Sequence, residues 1–170
     1  MFLNDLHTSW STYFRHTRSF RDRLSTLLEF PGPRLLAYPK ETVVAEKLEA
    51  LVKLGIDNTR MKDFYDLEVL SRTFAFEGKT LAQAIQNTFQ KRGTDLPMAG
   101  LPVAFTSEFY DDVNKKRQWI AFCAKNKSYV EKAEFKAVME DIRNFLALPV
   151  RAVQEGHSFT KTWKPGGPWR

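Results

Sequence analysis

The chain has 170 residues and a mass of 19.7 kDa, enough for one domain with a real core. At 43% hydrophobic and 14% aromatic it excludes wholesale disorder, and its single cysteine, Cys123, excludes an internal disulfide. A formal charge of +6 with a pI near 9.5 suits a phosphate-bearing partner without requiring one. No Cys/His cluster has zinc-ligand spacing, and with neither a secretory leader nor an apolar run of about 18 residues the expected compartment is the cytoplasm.

Residues 1–37 open on apolar side chains at Phe2, Leu3, Leu6, Trp10, Tyr13 and Phe14, a spacing that favours a helix. Arg15, Arg18, Arg21 and Arg23 follow, interleaved with Phe14 and Phe20. Such mixing can clamp a phosphate backbone and stack on bases, although a solvated arginine face is the more frequent outcome of this pattern. Residues 31–34, PGPR, form a turn, and LLAY is one short extended segment leading into Pro39.

The spacing predicts a helix over 41–54, entered after Pro39 and closed by Gly55. At about 100° per residue Val43, Val44, Leu48, Leu51, Val52 and Leu54 gather on one arc, with Glu46, Glu49 and Lys53 opposite. Lys47 falls inside the apolar arc, where an ammonium must snorkel, find a partner or lower its pKa. A second helix starts near Asn58 or Thr59, both adequate N-caps, and runs to about residue 74. Phe64, Leu67, Leu70 and Phe74 build its apolar face, and Asp63 projects on that face while Asp66 lies to the side, near Lys62 and Thr73.

The intervening GIDNT is short enough for an antiparallel hairpin. That sets Lys47 roughly 10 Å back from the turn and Asp63 roughly 6 Å forward of it, an offset a lysine bridges. Asp63, with Asp66 pointing away, is the expected partner. Such a pair is either an architectural bridge that fixes helix register or a basic group and a carboxylate held at a site, and periodicity does not separate the two.

Further on, Thr80-Leu-Ala-Gln83 reads as a capping box opening a helix that carries Leu81, Ile85 and Phe89 and stops at Gly93. DLPMAGLPVAF, residues 95–105, is an irregular connector because its prolines interrupt both ladders. Thr106 or Ser107 caps a helix to about residue 124, with Phe109, Val113, Ile120 and Cys123 inward and the Asp-Asp and Lys-Lys-Arg runs outward. The last helix runs from about 129 to 146 on Phe135, Val138, Met139, Ile142, Phe145 and Leu146, and Pro149 limits it. The Gly/Pro-rich tail brings two tryptophans back over an edge of the core. The expected fold is mainly α, a bundle of about five helices with at most one short strand. Its expected divisions are an atypical N-terminal segment over 1–37, a helical domain over 38–150 and a tail over 151–170.

The run AYPKETVVAEKLEALVKLGIDNTRMKDFYDL resembles the C-terminal motif region of the AbiEii/AbiGii-type nucleotidyltransferase toxins, which carry an A-E-K helix followed by R-x-K-D-x-x-D-L. LLEFPGPRLLAYP before it and WKPGGPW near the end are similar to that family too, so the resemblance spans about residues 24 to 170. It implies catalytic roles for Lys47 and Asp63, with Arg60, Lys62 and Asp66 of the same run as substrate-binding residues. It further implies transfer of a nucleoside monophosphate from an NTP, with Mg²⁺, to a tRNA-like RNA acceptor, and an antitoxin protein as partner. The G-S/T motif coupled to a D-x-D pair, with which relatives hold metal and triphosphate, does not occur in the sequence, and Asp5, Asp111 and Asp112 lack its spacing. The chain is therefore expected to correspond to the family's C-terminal part, with the metal carboxylates supplied by another chain. The alternative is a non-catalytic remnant or binding domain that meets an antitoxin or a nucleic acid.

Overall fold

The computed structural model describes residues 39–98, 100–130 and 133–170, and the fold below is that of the unit Tyr38–Arg170. The arginine-rich segment and the extended segment expected over LLAY lie outside the described residues. The architecture is mainly α: six helices with one two-stranded sheet of two residues per strand among the described residues.

Helix α1, Lys40–Leu54, begins where the carbonyl of Pro39 accepts the amides of Thr42 and Val43, and it ends on Gly55 at φ 51°. Val44, Ala45, Leu48 and Leu51 are fully buried. Two expectations fail on this helix: Leu54, placed on the apolar arc, is 40% exposed at the helix end, and Glu49, placed with the polar face, is only 1% exposed. Helix α1 packs on a second neighbour, α3, and from that side Thr94 Oγ1 and Arg92 Nη1 donate to the Glu49 carboxylate.

A single 3₁₀ turn, Gly55–Asp57, leads to helix α2, Met61–Thr73. Asn58 sits ahead of the helix as a turn residue, its Oδ1 accepting the amide of Arg60. Strand β1, Phe76–Glu77, pairs antiparallel with β2, Thr162–Trp163, in the register Phe76 with Trp163. That pairing moves the next helix: α3, Gly78–Arg92, starts two residues before the expected Thr80 cap, because the Gly78 amide is anchored on the Lys161 carbonyl at 2.8 Å. Any side chain at 78 would place its Cβ 2.5 Å from the Phe159 ring, so the tail needs glycine there. Helix α3 buries Leu81, Ile85 and Phe89 and stops at Gly93 in the left-handed region, as its sequence predicts.

The connector carries a 3₁₀ turn, Val103–Phe105. The single helix expected to follow is two, α4 (Ser107–Tyr110) and α5 (Val113–Lys125), divided where the Asp112 side chain accepts the amide of Lys115 and caps a fresh start. The break resets the helical phase. Val113 and Ile120, expected inward, are 61% and 66% exposed, whereas Lys115 of the outward Lys-Lys-Arg run is buried with Trp119. The last helix, α6, spans Phe135–Gln154, starting later and ending later than expected, with Pro149 buried inside it. A proline at 149 has no N–H for the carbonyl of Phe145, four residues back, and Trp169 Nε1 donates to that carbonyl instead, at 2.8 Å. The tail thus supplies the hydrogen bond that the helix lacks. Trp163 Nε1 likewise donates to the Ser71 carbonyl at 2.7 Å, which ties the same tail to the end of α2.

Two aromatic clusters fill the core. Phe64, Phe109, Phe135 and Trp119 meet beneath α2, and Phe76, Phe145, Phe159, Trp163 and Trp169 meet beneath the tail. The first supports the residues described next.

Candidate functional site

The hairpin of α1 and α2 brings Lys47 against the first turns of α2. Lys47 Nζ donates to Asp63 Oδ1 at 2.8 Å, as the sequence predicts. It also lies 2.8 Å from Asp66 Oδ2, and this corrects the expectation that Asp66 points away. Residues three apart on a helix are surface neighbours, and a four-carbon stem rising between them reaches both; azimuth about one helix axis does not register that reach. Two further cations close the outer side. Arg60 Nε is 3.0 Å from Asp63 Oδ2, and Lys62 Nζ bonds both oxygens of Asp66 at 2.9 and 2.7 Å. The side chains of Lys47 and Asp63 are 19% and 9% exposed, while that of Arg60 is 59% exposed.

Three cations on two carboxylates leave the cluster with a surplus positive charge on its solvent side. Burial acts to lower the Lys47 pKa, but the Asp66 charge and the hydrogen bonds to Asp63 and Asp66 outweigh it and hold the ammonium above the ordinary lysine range. Lys47 is thus a fixed cation at neutral pH. Asp63 Oδ2 is buried and lies 3.0 Å from Arg60 Nε without an aligned hydrogen bond, so an exposed guanidinium is its neighbour.

Beside the cluster, α2 and α5 enclose an open pocket of about 550 Å³ lined by Arg60, Lys62, Asp63, Met61, Gln118 and Phe122 among others. The sequence reading missed the α5 wall. Lys115 Nζ, buried over the Phe109 ring, donates to the Asn58 carbonyl at 2.8 Å and so pins the turn that carries Arg60. The signal was Asp112 as an N-cap, which would have put Lys115, Trp119 and Phe122 on one inward stripe. Tyr65 Oη donates to the Tyr129 carbonyl and ties α2 to the segment after α5. Cys123 is half-buried; burial first, then the Glu68 charge, pushes its thiol above the usual range, in keeping with an inert packing residue.

The cluster does not suit a divalent metal. Each carboxylate is already engaged by two cations, and among the described residues no three His, Cys, Asp or Glu side chains gather in a way that could hold an ion. Nor is any helix among them long and apolar enough to cross a membrane.

The helical domain thus holds a shielded lysine between two aspartates behind a basic rim. The family model described as the nucleotidyl transferase AbiEii toxin of type IV toxin–antitoxin systems matches residues 13–142 of this chain. The chain belongs to the AbiEii nucleotidyltransferase toxin family, whose membership implies an antitoxin partner and, in general, an NTP and Mg²⁺. The match starts ahead of residue 24, where the motif resemblance begins, and stops short of WKPGGPW. Comparisons with curated proteins and with solved structures give no match.

Proposed function

We propose that the Lys47 cluster is the nucleotide-facing part of a nucleotidyltransferase that moves a nucleoside monophosphate from an NTP to an RNA acceptor of tRNA-like kind. The observation that carries this reading is the double bridge, Lys47 Nζ at 2.8 Å from both Asp63 and Asp66, with Arg60 and Lys62 outside it at the mouth of an open pocket. Arg60 and Lys62 take the phosphates first, being the exposed cations. Lys47 adds fixed positive charge behind them, where transition-state charge on the transferred phosphoryl group accumulates. Asp63 orients Lys47 through Oδ1. When Arg60 swings onto a phosphate it uncovers Oδ2, which can then accept the proton of the attacking hydroxyl.

The metal carboxylates lie outside this cluster, and no step above passes through the metal. The cytoplasm, where NTPs are made and used, is the compartment this activity needs. One observation favours a second reading: the same bridges fasten α1 to α2, so the cluster could serve only as architecture in a binding or remnant domain. Calorimetric titration separates the two. The nucleotidyltransferase reading expects affinity to rise from NMP to NDP to NTP and to fall about tenfold for the NTP in Lys62→Ala, as for loss of a charge-assisted phosphate contact. Equal and Lys62-independent binding of all three would favour the architectural reading.

A further inference from the structure

The pocket beside the cluster has a wall that the phosphate chemistry leaves unused. The side chain of Gln118, half-buried on α5, has no hydrogen-bond partner among the described residues, and its Oε1 is buried. A buried amide oxygen with no partner costs free energy that a donor on an incoming molecule would recover. Phe122, one turn further along α5, lines the same pocket with Met61 and Ala121 and gives it an apolar side. Arg60 and Lys62 line the same pocket and bring positive charge to it. Phe122 is braced by Trp119 and Tyr65 at centroid separations of 5.5 and 6.0 Å, so its position is set by packing on both flanks.

We propose that this pocket is a nucleobase subsite in which the Gln118 carboxamide reads the hydrogen-bonding edge of the base while Phe122 covers its face. The inference rests on the nucleotide reading above and adds the residue that selects among bases. A carboxamide presents one acceptor and one donor side by side, and a half-turn about its terminal bond exchanges them. That pattern matches the paired donor and acceptor on a base edge and is more than a ribose hydroxyl requires. The volume, about 550 Å³, falls within the range of small-ligand sites. An aromatic wall tolerates any base, so discrimination falls to the amide. The base can arrive on the NTP or on the terminal nucleotide of an RNA acceptor.

The test titrates the full 170-residue chain with each of the four NTPs, with inorganic tripolyphosphate, and with short RNAs that differ only in the 3′ base. Wild type, Gln118→Ala and Gln118→Glu are compared, with thermal melts to establish that all three are folded. The expected result is a preference of about tenfold for one base in wild type, reduced to near parity in Gln118→Ala and changed in rank in Gln118→Glu, with tripolyphosphate binding unaltered. Preference among NTPs assigns the subsite to the donor nucleotide, and preference among RNA ends assigns it to the acceptor. A base preference that survives both substitutions overturns the subsite while leaving the phosphate reading intact. Absence of binding by every NTP and by tripolyphosphate overturns both.

Discussion

At the scale of single residues, the cluster is redundant. Removing Asp63 leaves Lys47 paired with Asp66, and removing Lys47 leaves Asp63 with Arg60 and Asp66 with Lys62. No single truncation strands a buried charge. Asp63→Ala is therefore expected to cost about 1 kcal/mol, well under the 3–5 kcal/mol typical of an isolated buried pair, with a Lys47–Asp63 coupling under about 2 kcal/mol in urea melts of Asp63→Ala, Lys47→Met and the double variant. Asp63→Ala with Asp66→Ala does strand Lys47, and its cost is expected to exceed the sum of the single costs by more than about 1 kcal/mol. Additive costs would show that the two aspartates act independently. The pH dependence has a definite sign: the Lys47 pKa is raised on folding, so its contribution is complete through the neutral range. It is lost only as pH climbs past about 10.4 and through the higher folded-state value, and Lys47→Met is expected to flatten that alkaline loss.

At the scale of elements, the tail and α6 share one hydrogen bond that neither could complete alone. Trp169→Phe keeps an aromatic ring and deletes the donor to the Phe145 carbonyl, with an expected cost of about 1–2 kcal/mol. In a Pro149→Ala background the alanine amide can serve the same carbonyl, and the cost of Trp169→Phe is expected to shrink; equal costs in both backgrounds would show that the indole acts by packing alone. Gly78→Ala should loosen the same tail by about 1–3 kcal/mol through overpacking against Phe159, read as lost tryptophan burial in fluorescence. These elements also mark where the sequence was legible. Helices α1 and α2 were readable because Pro39, Gly55 and a steady apolar period bound them, and the Lys47–Asp63 contact followed from two charges inside apolar arcs. The Asp66 contact was not, because it depends on how far a lysine stem leans. The break at Asp112 was hidden by an apolar pattern that one longer helix also satisfied, and Pro149 signalled a stop that only a distant tryptophan removes.

At the scale of the whole molecule, the chain belongs to a nucleotidyltransferase toxin family, and its described residues provide a cation cluster and a pocket but no cluster suited to a metal. Because the sequence has no D-x-D carboxylate pair, the 170-residue chain alone, given Mg²⁺, α-³²P-labelled NTPs and RNA, is expected to leave the RNA unlabelled; labelling that disappears in Asp63→Ala would show a complete centre within this chain. The proposal that an NTP's phosphates meet the Lys47 cluster is narrower. It is tested most directly by NMR of the lysine side-chain ¹⁵Nζ, where ion pairing slows proton exchange and makes Lys47 observable. Addition of NTP is predicted to shift the Lys47 and Lys62 resonances together, and addition of the unphosphorylated nucleoside to leave Lys47 in place. A Lys47 signal that stays fixed while calorimetry shows the NTP bound would contradict the account and leave the bridge a fastening between two helices.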